Sequence, residues 1–135
     1  MLQKGMTGRY SVKVTDENTA KAMKSGELEV FATPCMLAIM EKASTECIKA
    51  ELSSDESSVG TLANISHISA TPVGMNVTAT STLEEVDGRR LVFSVVAEDE
   101  CGVIGKGVHE RFIINKEKFM GKTNAKNNIK TGEDK

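Results

Sequence analysis

Several residue types are scarce in this sequence of 135 residues. It has no tryptophan, one tyrosine and four phenylalanines, so it lacks the aromatic platform on which the bases of single-stranded nucleic acid stack. Its formal net charge is −2, which argues against a nucleic-acid partner by bulk charge. No stretch approaches the ~20 apolar residues of a membrane span. We therefore expect a globular protein whose partner is neither a nucleic acid nor a membrane.

Cysteine and histidine are also few. The three cysteines, Cys35, Cys47 and Cys101, are odd in number and share no metal-ligand spacing. The two histidines, His67 and His109, lie far apart, with no pattern of metal ligands near either. The N-terminus lacks the apolar region of a secretory signal. We therefore expect no metal site and a reducing compartment, which favours the cytoplasm.

Charge is unevenly distributed along the chain. From Lys106 to the C-terminus there are eight Lys or Arg against four Asp or Glu, whereas the preceding residues carry nine against fifteen. Apolar positions become rare after Lys116. We therefore expect one domain over residues 1–122 and a basic, flexible tail over residues 123–135. Most of these lysines suit a solvated tail, and the alternative is that they meet an anionic group such as the phosphates of a cofactor.

One strand and one long helix are predicted for the first part of the chain. Apolar and polar residues alternate over residues 8–15, which predicts a strand. Thr33 followed by Pro34 is typical of a helix start, because threonine can cap the first free amides and proline suits the first helical position. We expect the helix over residues 34–50. Its buried stripe, at helical spacing, consists of Met36, Met40, Ala43 and Cys47.

Four segments rich in β-forming residues follow, with turn signals between them. They cover residues 61–70, 75–86, 91–97 and 103–114. Short connections make successive strands antiparallel, so we expect a four-strand meander. A curved antiparallel sheet can bury one apolar helix by wrapping round it. This arrangement predicts an α+β protein of the hot-dog fold, although the composition also permits other α+β sheets.

Three polar residues are candidates for chemistry. Thr33 lies at the helix start, Glu41 lies two turns later within an apolar stripe, and His67 lies on a predicted strand. Each has an ordinary structural explanation: a helix cap, a carboxylate at the edge of the stripe and a half-buried, hydrogen-bonded histidine. Periodicity alone does not bring the three together in space.

The order and spacing of several short segments resemble the fluoroacetyl-CoA thioesterase-like family, a branch of the hot-dog thioesterase superfamily. The resemblance extends to about Lys122. Its segments are Val30-Phe31-Ala32-Thr33, Met36-Leu37-Ala38-Ile39-Met40-Glu41, Gly60-Thr61, His67, Ala70-Thr71-Pro72, Gly74, Asp87-Gly88-Arg89-Arg90-Leu91, Ile104-Gly105, His109-Glu110-Arg111 and Glu117-Lys118-Phe119.

The resemblance implies an acyl-CoA thioesterase in which Thr33, Glu41 and His67 are catalytic. It also implies that Gly60 lies near the thioester and that Arg111 contributes to substrate binding. Coenzyme A enters as part of the acyl-CoA substrate, so no separate cofactor is expected. The family further implies a homodimer whose sheets join edge to edge, with the active site near the subunit boundary.

These residue types suit thioester hydrolysis. The reaction needs a nucleophile or an activated water, a base, and donors for the developing oxyanion. We expect His67 to be the base, Thr33 to attack the acyl carbon or to orient water, and Glu41 to orient and charge-balance the pair. Covalent and direct water attack both stay open at this point.

One position departs from the family pattern, and two other functions stay open. The fluoroacetate-specific enzyme has a phenylalanine lid six residues before the threonine, where this chain has Glu27. A charged side chain does not form the same apolar gate, so fluoroacetyl-CoA is not the expected natural substrate. The alternatives are an acyl-CoA binder without activity, and a hydratase or dehydratase of the same fold.

Overall fold

The computed structural model describes residues 1–133. Within that range the chain forms five strands and three α-helices. In chain order they are β1 (Thr7–Lys13), α1 (Ala20–Met23), α2 (Thr33–Ile48), which continues as a 3-10 turn (Lys49–Glu51), β2 (Glu56–His67), β3 (Asn76–Asp87), β4 (Arg90–Asp99), β5 (Gly102–Asn115) and α3 (Lys116–Glu133).

The strands form one antiparallel sheet in the order β1-β3-β4-β5-β2. The predicted meander is therefore correct for β3, β4 and β5 and wrong for β2, which pairs with β5 rather than with β3. The connection over residues 68–75, between β2 and β3, does not form a tight hairpin. The Ile68 amide donates to the Ile104 carbonyl, and the Phe31 amide donates to the Thr71 carbonyl. The chain crosses the end of the sheet over this segment and enters β3, next to the opposite edge strand β1.

Helix α2 packs against the sheet and supplies much of the core. Met36, Met40 and Ala43 of the predicted stripe are buried, while Cys47 is only partly buried. The helix comes very close to β1 at Gly8, where an added Cβ would lie 2.2 Å from the carbonyl oxygen of Ala43. Only glycine permits that approach, so the absence of a side chain at Gly8 sets how closely α2 packs against β1.

The start of α2 differs from the prediction. The N-cap residue is Ala32, without a side-chain capping bond, and Thr33 and Pro34 are the first two helical residues. The expected cap by Thr33 is therefore wrong. Its hydroxyl instead bonds to His67 on β2. The hydroxyl is thus available for contacts outside its own helix.

The C-terminal part of the chain contains a helix that the composition did not predict. Helix α3 begins directly after β5, and Asn115 caps it by accepting a hydrogen bond from the Lys118 amide at 3.0 Å. Phe119 and Met120 on this helix are partly exposed. The division at residue 122 and the flexibility of the tail stay predictions, and residues 134–135 of that tail lie outside the described range. No helix of the described residues has the length and hydropathy to traverse a membrane.

Candidate active site

Thr33 and His67 form a hydrogen-bonded pair between α2 and β2. The Thr33 Oγ1 lies 2.7 Å from the His67 Nδ1. The Thr33 side chain is exposed because the residue stands in the first turn of α2, and His67 is half-buried at the last position of β2. The helix start and the strand end thus present a hydroxyl and an imidazole in direct contact at the surface.

The environment of His67 favours its neutral form. Burial lowers the pKa of His67 from its ordinary value, and interaction with the backbone of Ser69 opposes that shift only in part. When Thr33 donates to Nδ1, the ring proton resides on Nε2. That nitrogen is enclosed by its own chain and has no hydrogen-bond partner in the described part of the structure, where side chains are described to residue 129. A neutral imidazole whose Nδ1 faces a hydroxyl is able to accept that hydroxyl's proton.

A cleft of about 270 Å³ opens beside this pair. Val30 and Phe31, which precede α2, and Ile68, which follows β2, give it apolar walls. Its volume is slightly below the range typical of ligand pockets, about 300–1,000 Å³.

Glu41 lies in a second cluster, with Arg111. The Glu41 Oε2 lies 3.7 Å from the Arg111 Nη1, and the side chains are 41% and 8% exposed, respectively. The predicted carboxylate inside an apolar stripe is thus at the edge of that stripe, next to a nearly buried guanidinium. Arg111 supplies the opposite charge that a half-buried carboxylate requires.

Arg111 is held by two other side chains. Its Nε donates to the Ser58 Oγ at 2.8 Å and its Nη2 donates to the Ser58 carbonyl at 2.9 Å. Its Nη1 lies 3.2 Å from the Nε2 of His109, a residue that is 1% exposed. Burial lowers the pKa of Arg111, and the charge of Glu41 opposes that shift. The guanidinium is therefore fixed at three of its nitrogens.

Gly60 belongs to the same second cluster. A Cβ added there would lie 2.8 Å from the Glu41 Oε2 and 3.2 Å from the His109 Cε1. Its backbone pairs with Arg111 across β2 and β5. The backbone of Gly60 therefore lies directly against the Glu41 carboxylate, and any side chain at this position would displace the carboxylate.

One chain does not bring the two clusters together. Thr33 and Glu41 are eight residues apart on α2, about 12 Å along the helix axis. Gly60 and His67 are separated by about 23 Å of strand. Among the described residues, Glu41 makes no hydrogen bond to Thr33 or His67. The predicted residues therefore divide into the pair Thr33 and His67, and a cluster of Glu41, Gly60 and Arg111.

Sequence reasoning missed two members of the second cluster, Ser58 and His109. His109 belongs to the His109-Glu110-Arg111 segment that resembles the family, but the resemblance implies no role for it, and no pattern in the sequence singles out Ser58. The alternation along β5 offers a signal, because it places His109 and Arg111 on one face of the strand. Residues 1–129, whose side chains are described, contain no group of three or more His, Cys, Asp or Glu suited to a metal ion.

Comparisons with known proteins agree with this architecture. A family model described as "Fluoroacetyl-CoA-specific thioesterase" (FlK) matches residues 14–117. The fluoroacetyl-CoA thioesterase of Streptantibioticus cattleyicolor is 44% identical over 98 residues, which cover 73% of this chain and 70% of that protein.

Solved structures extend the similarity to most of the chain. A structure of the fluoroacetyl-CoA thioesterase FlK has a TM-score of 0.89 at 35% identity and covers 93% of this chain and 98% of its own. A thioesterase superfamily member from Thermus thermophilus has a TM-score of 0.90 at 26% identity, covering 98% of each chain. This protein therefore belongs to the fluoroacetyl-CoA thioesterase (FlK) family and is a thioester hydrolase with the hot-dog fold.

Proposed function

We propose that this enzyme hydrolyses a short acyl-CoA to the free acid and coenzyme A, with Thr33, His67 and Glu41 as its catalytic residues. The observation that carries the proposal is the 2.7 Å contact between Thr33 and His67 beside a cleft with both apolar and polar walls. Free threonine hydroxyls are weak nucleophiles, and an adjacent base is the usual means of activating them.

The chemistry assigns a distinct task to each group. His67 takes a proton from the Thr33 hydroxyl or from a water that this hydroxyl orients, and the attacking oxygen adds to the thioester carbonyl carbon. The tetrahedral intermediate then expels the thiolate of coenzyme A, which receives the proton that His67 took. Attack by water yields the free acid directly. Attack by Thr33 yields an acyl-threonine ester, which a water activated by His67 hydrolyses to the free acid, restoring the hydroxyl. The first turn of α2 offers the free amide of Cys35 and the positive end of the helix dipole to the developing oxyanion.

Glu41 joins this site when two chains associate through β2. Among the described residues β2 pairs only with β5, so its other edge is open. It is 12 residues long and exposes Leu62, and an open strand of that length is a template for pairing with another chain. A two-fold axis between Ala63 and Asn64 would place His67 opposite the partner subunit's Gly60. The partner subunit's Glu41 would then approach the Thr33 and His67 pair.

The relatives support an acyl-CoA substrate. One mutant of FlK has been solved in complex with fluoroacetate and coenzyme A, and another mutant in complex with acetyl-CoA. The cleft beside Thr33 has room for acyl groups of that length. Glu27 is exposed on the bend before α2, and a charged residue there offers no apolar gate that favours fluoroacetyl over acetyl. We therefore propose similar turnover of the two, with no cofactor besides the coenzyme A of the substrate.

A panel of acyl-CoA thioesters tests the proposal. Release of free coenzyme A thiol is measured for acetyl-, fluoroacetyl-, butyryl-, octanoyl- and benzoyl-CoA, with wild-type enzyme and with His67→Ala. We expect turnover of the shorter thioesters by the wild type and a loss of about 10²–10⁴-fold in kcat for the variant. Unchanged turnover in His67→Ala contradicts the assignment. Hydration of an enoyl-CoA without thiol release identifies a hydratase instead, and binding without either reaction identifies a non-catalytic acyl-CoA binder.

The cytoplasmic location stays a proposal. Cys35 and Cys47 are partly buried, Cys101 is exposed, and all three are free thiols in the structure. Burial raises the pKa of the Cys35 and Cys47 thiols, which keeps both of them protonated and unreactive. An exposed free thiol such as Cys101 is compatible with a reducing compartment.

A further inference from the structure

We propose that His109 is a positioning residue of the active site, which holds Arg111 against Glu41 and so sets the direction of the Glu41 carboxylate. The inference rests on the proposed function, because Glu41 matters to turnover only if it belongs to the site. His109 does not touch the substrate cleft beside Thr33, and it acts through the guanidinium alone.

The hydrogen bonds of His109 define its tautomer. The Nδ1 lies 2.8 Å from the carbonyl oxygen of Leu62, which only accepts, so Nδ1 carries the ring proton. The Nε2 is therefore a bare acceptor, and it receives the Nη1 of Arg111 at 3.2 Å. The Leu62 carbonyl and the Arg111 guanidinium thus impose the same tautomer from opposite sides of the ring.

Packing keeps the imidazole in this orientation. His109 is 1% exposed and stacks on Phe93 with the ring centroids 6.2 Å apart. Burial lowers the pKa of His109 and holds the ring neutral, and the nearby charge of Arg111 acts in the same direction. The carboxylates of Glu41 and Glu110 and the Leu62 carbonyl act in the opposite direction. A second ring proton would place an N–H against Arg111, so the neutral ring is the form that fits.

The chain of contacts ends at the surface. Ser58 fixes two other nitrogens of the guanidinium, and the remaining one, Nη1, is shared between His109 Nε2 and Glu41 Oε2. Glu41 is the partly exposed member, at 41% of its side chain. Arg111 contacts its Oε2, and the described side chains of residues 1–129 supply no hydrogen bond to Oε1. This oxygen is therefore available to face a substrate or the partner subunit's Thr33 and His67. If His109 served only to accept a hydrogen bond from the buried Arg111, that bond would not need to direct the guanidinium toward the partly exposed carboxylate of Glu41.

Two amide substitutions at His109 distinguish its hydrogen bond with Arg111 from its hydrogen bond with Leu62. The glutamine amide reaches the place of the imidazole Nε2, and the asparagine amide reaches the place of Nδ1. His109→Gln therefore keeps an acceptor for Arg111, whereas His109→Asn keeps only the donor to Leu62. We expect His109→Asn to lower kcat about tenfold or more with little change in KM, and His109→Gln to recover most of that loss. Equal losses in both variants, in proportion to their loss of thermal stability, overturn the proposal.

A second background tests whether His109 acts through Glu41. In Glu41→Gln the added His109→Asn should change kcat less than about twofold, because the carboxylate that it orients has been removed. A full tenfold effect in that background shows a different route and contradicts the proposal. Arg111→Lys is the control that separates the charge of Arg111 from its hydrogen bonds, since lysine keeps the charge but loses the fork-shaped set of donors.

A spectroscopic measurement keeps the inference separate from the thioesterase assignment. Nitrogen-15 NMR of the wild-type His109 ring should show a protonated Nδ1 and an unprotonated Nε2 at neutral pH. If the wild type hydrolyses no acyl-CoA, the proposed function fails while this readout still tests the geometry. A protonated Nε2 overturns the positioning role whatever the activity, including the case in which both His109 variants fail to fold.

Discussion

The hydroxyl of Thr33 lies 2.7 Å from the Nδ1 of His67, although the two residues are 34 positions apart and belong to a helix and a strand. A threonine at a helix start ordinarily bonds to an amide of its own first turn. Here Ala32 occupies the N-cap position without a side-chain capping bond. The hydroxyl is consequently directed away from its own helix and toward a base.

Substitution of Thr33 separates a catalytic role from a capping role. Thr33→Ala should lower kcat about 10²–10³-fold, because His67 loses the hydroxyl that it activates. Thr33→Ser keeps that hydroxyl and should stay within about tenfold of the wild type. Because Thr33 is exposed and caps nothing, the free energy of unfolding should change by less than about 0.5 kcal/mol in both variants. A loss near 1 kcal/mol, measured by urea titration, indicates that it serves as a cap after all.

The bare backbone at Gly60 predicts a local effect on Glu41. In Gly60→Ala the new Cβ meets the Glu41 Oε2 at 2.8 Å, and the end of that flexible side chain moves away. We expect a folded protein whose kcat is about tenfold lower or more.

Gly121→Ala on α3 is the matched control for Gly60→Ala. An added Cβ at Gly121 meets no other group within 4 Å. Alanine favours a helix over glycine by about 1 kcal/mol, so this variant should keep wild-type turnover and be slightly more stable. Equal kcat values for the two alanine variants argue against a role for Gly60.

A site shared between subunits predicts complementation. His67→Ala and Glu41→Gln are each expected to be nearly inactive as homodimers. In a mixed dimer one site would contain both substitutions and the other neither, so co-expressed chains should regain up to about half of the wild-type activity per mixed dimer.

Purification through two different affinity tags isolates the mixed dimer for this measurement. Activity that stays at the level of the inactive homodimers shows that each chain builds its whole site. A monomer in sedimentation analysis contradicts the shared site directly. If the protein is the proposed dimer, Leu62→Lys on the open edge of β2 should shift it toward monomer and lower its activity together with its mass.

The burial of His109 predicts that the free energy of unfolding decreases as the pH falls. Its folded-state pKa is lowered, mainly by burial and also by Arg111, so the unfolded chain binds the proton more tightly. The stability that the neutral ring contributes is fully present above the unfolded-state pKa of about 6.5. It is lost as the pH falls through the folded-state pKa. Its maximum slope is about 1.4 kcal/mol per pH unit.

Denaturant titrations at about pH 7.5 and about pH 5 measure this effect. The drop in unfolding free energy between them should be smaller in His109→Gln than in the wild type. His67 contributes with the same sign, because burial lowers its pKa as well, so His67→Gln is measured in parallel. The carboxyls whose pKa is lowered, such as Asp99, act at lower pH and do not obscure the comparison. An equal drop in His109→Gln and the wild type refutes the prediction.

The local pattern of the sequence determined much of the fold. The helical spacing of Met36, Met40 and Ala43 is a short-range property, which depends only on which face of the helix is buried. The alternation that predicts β1 is also short-range, although a single chain leaves most of that strand exposed. The order of β2 in the sheet was not determined in this way. It depends on hydrogen bonds of the connection over residues 68–75 to distant segments, which no periodicity records.

The candidate residues show the same division. The sequence, through its resemblance to a family, selected Thr33, Glu41, His67, Gly60 and Arg111. Only the tertiary structure decided that Thr33 gives its hydroxyl to His67, that Glu41 lies with Arg111 instead, and that Ser58 and His109 fix that arginine. The physical reason is that hydrogen bonds between side chains depend on distances of a few tenths of an ångström, and packing between elements remote in sequence sets those distances.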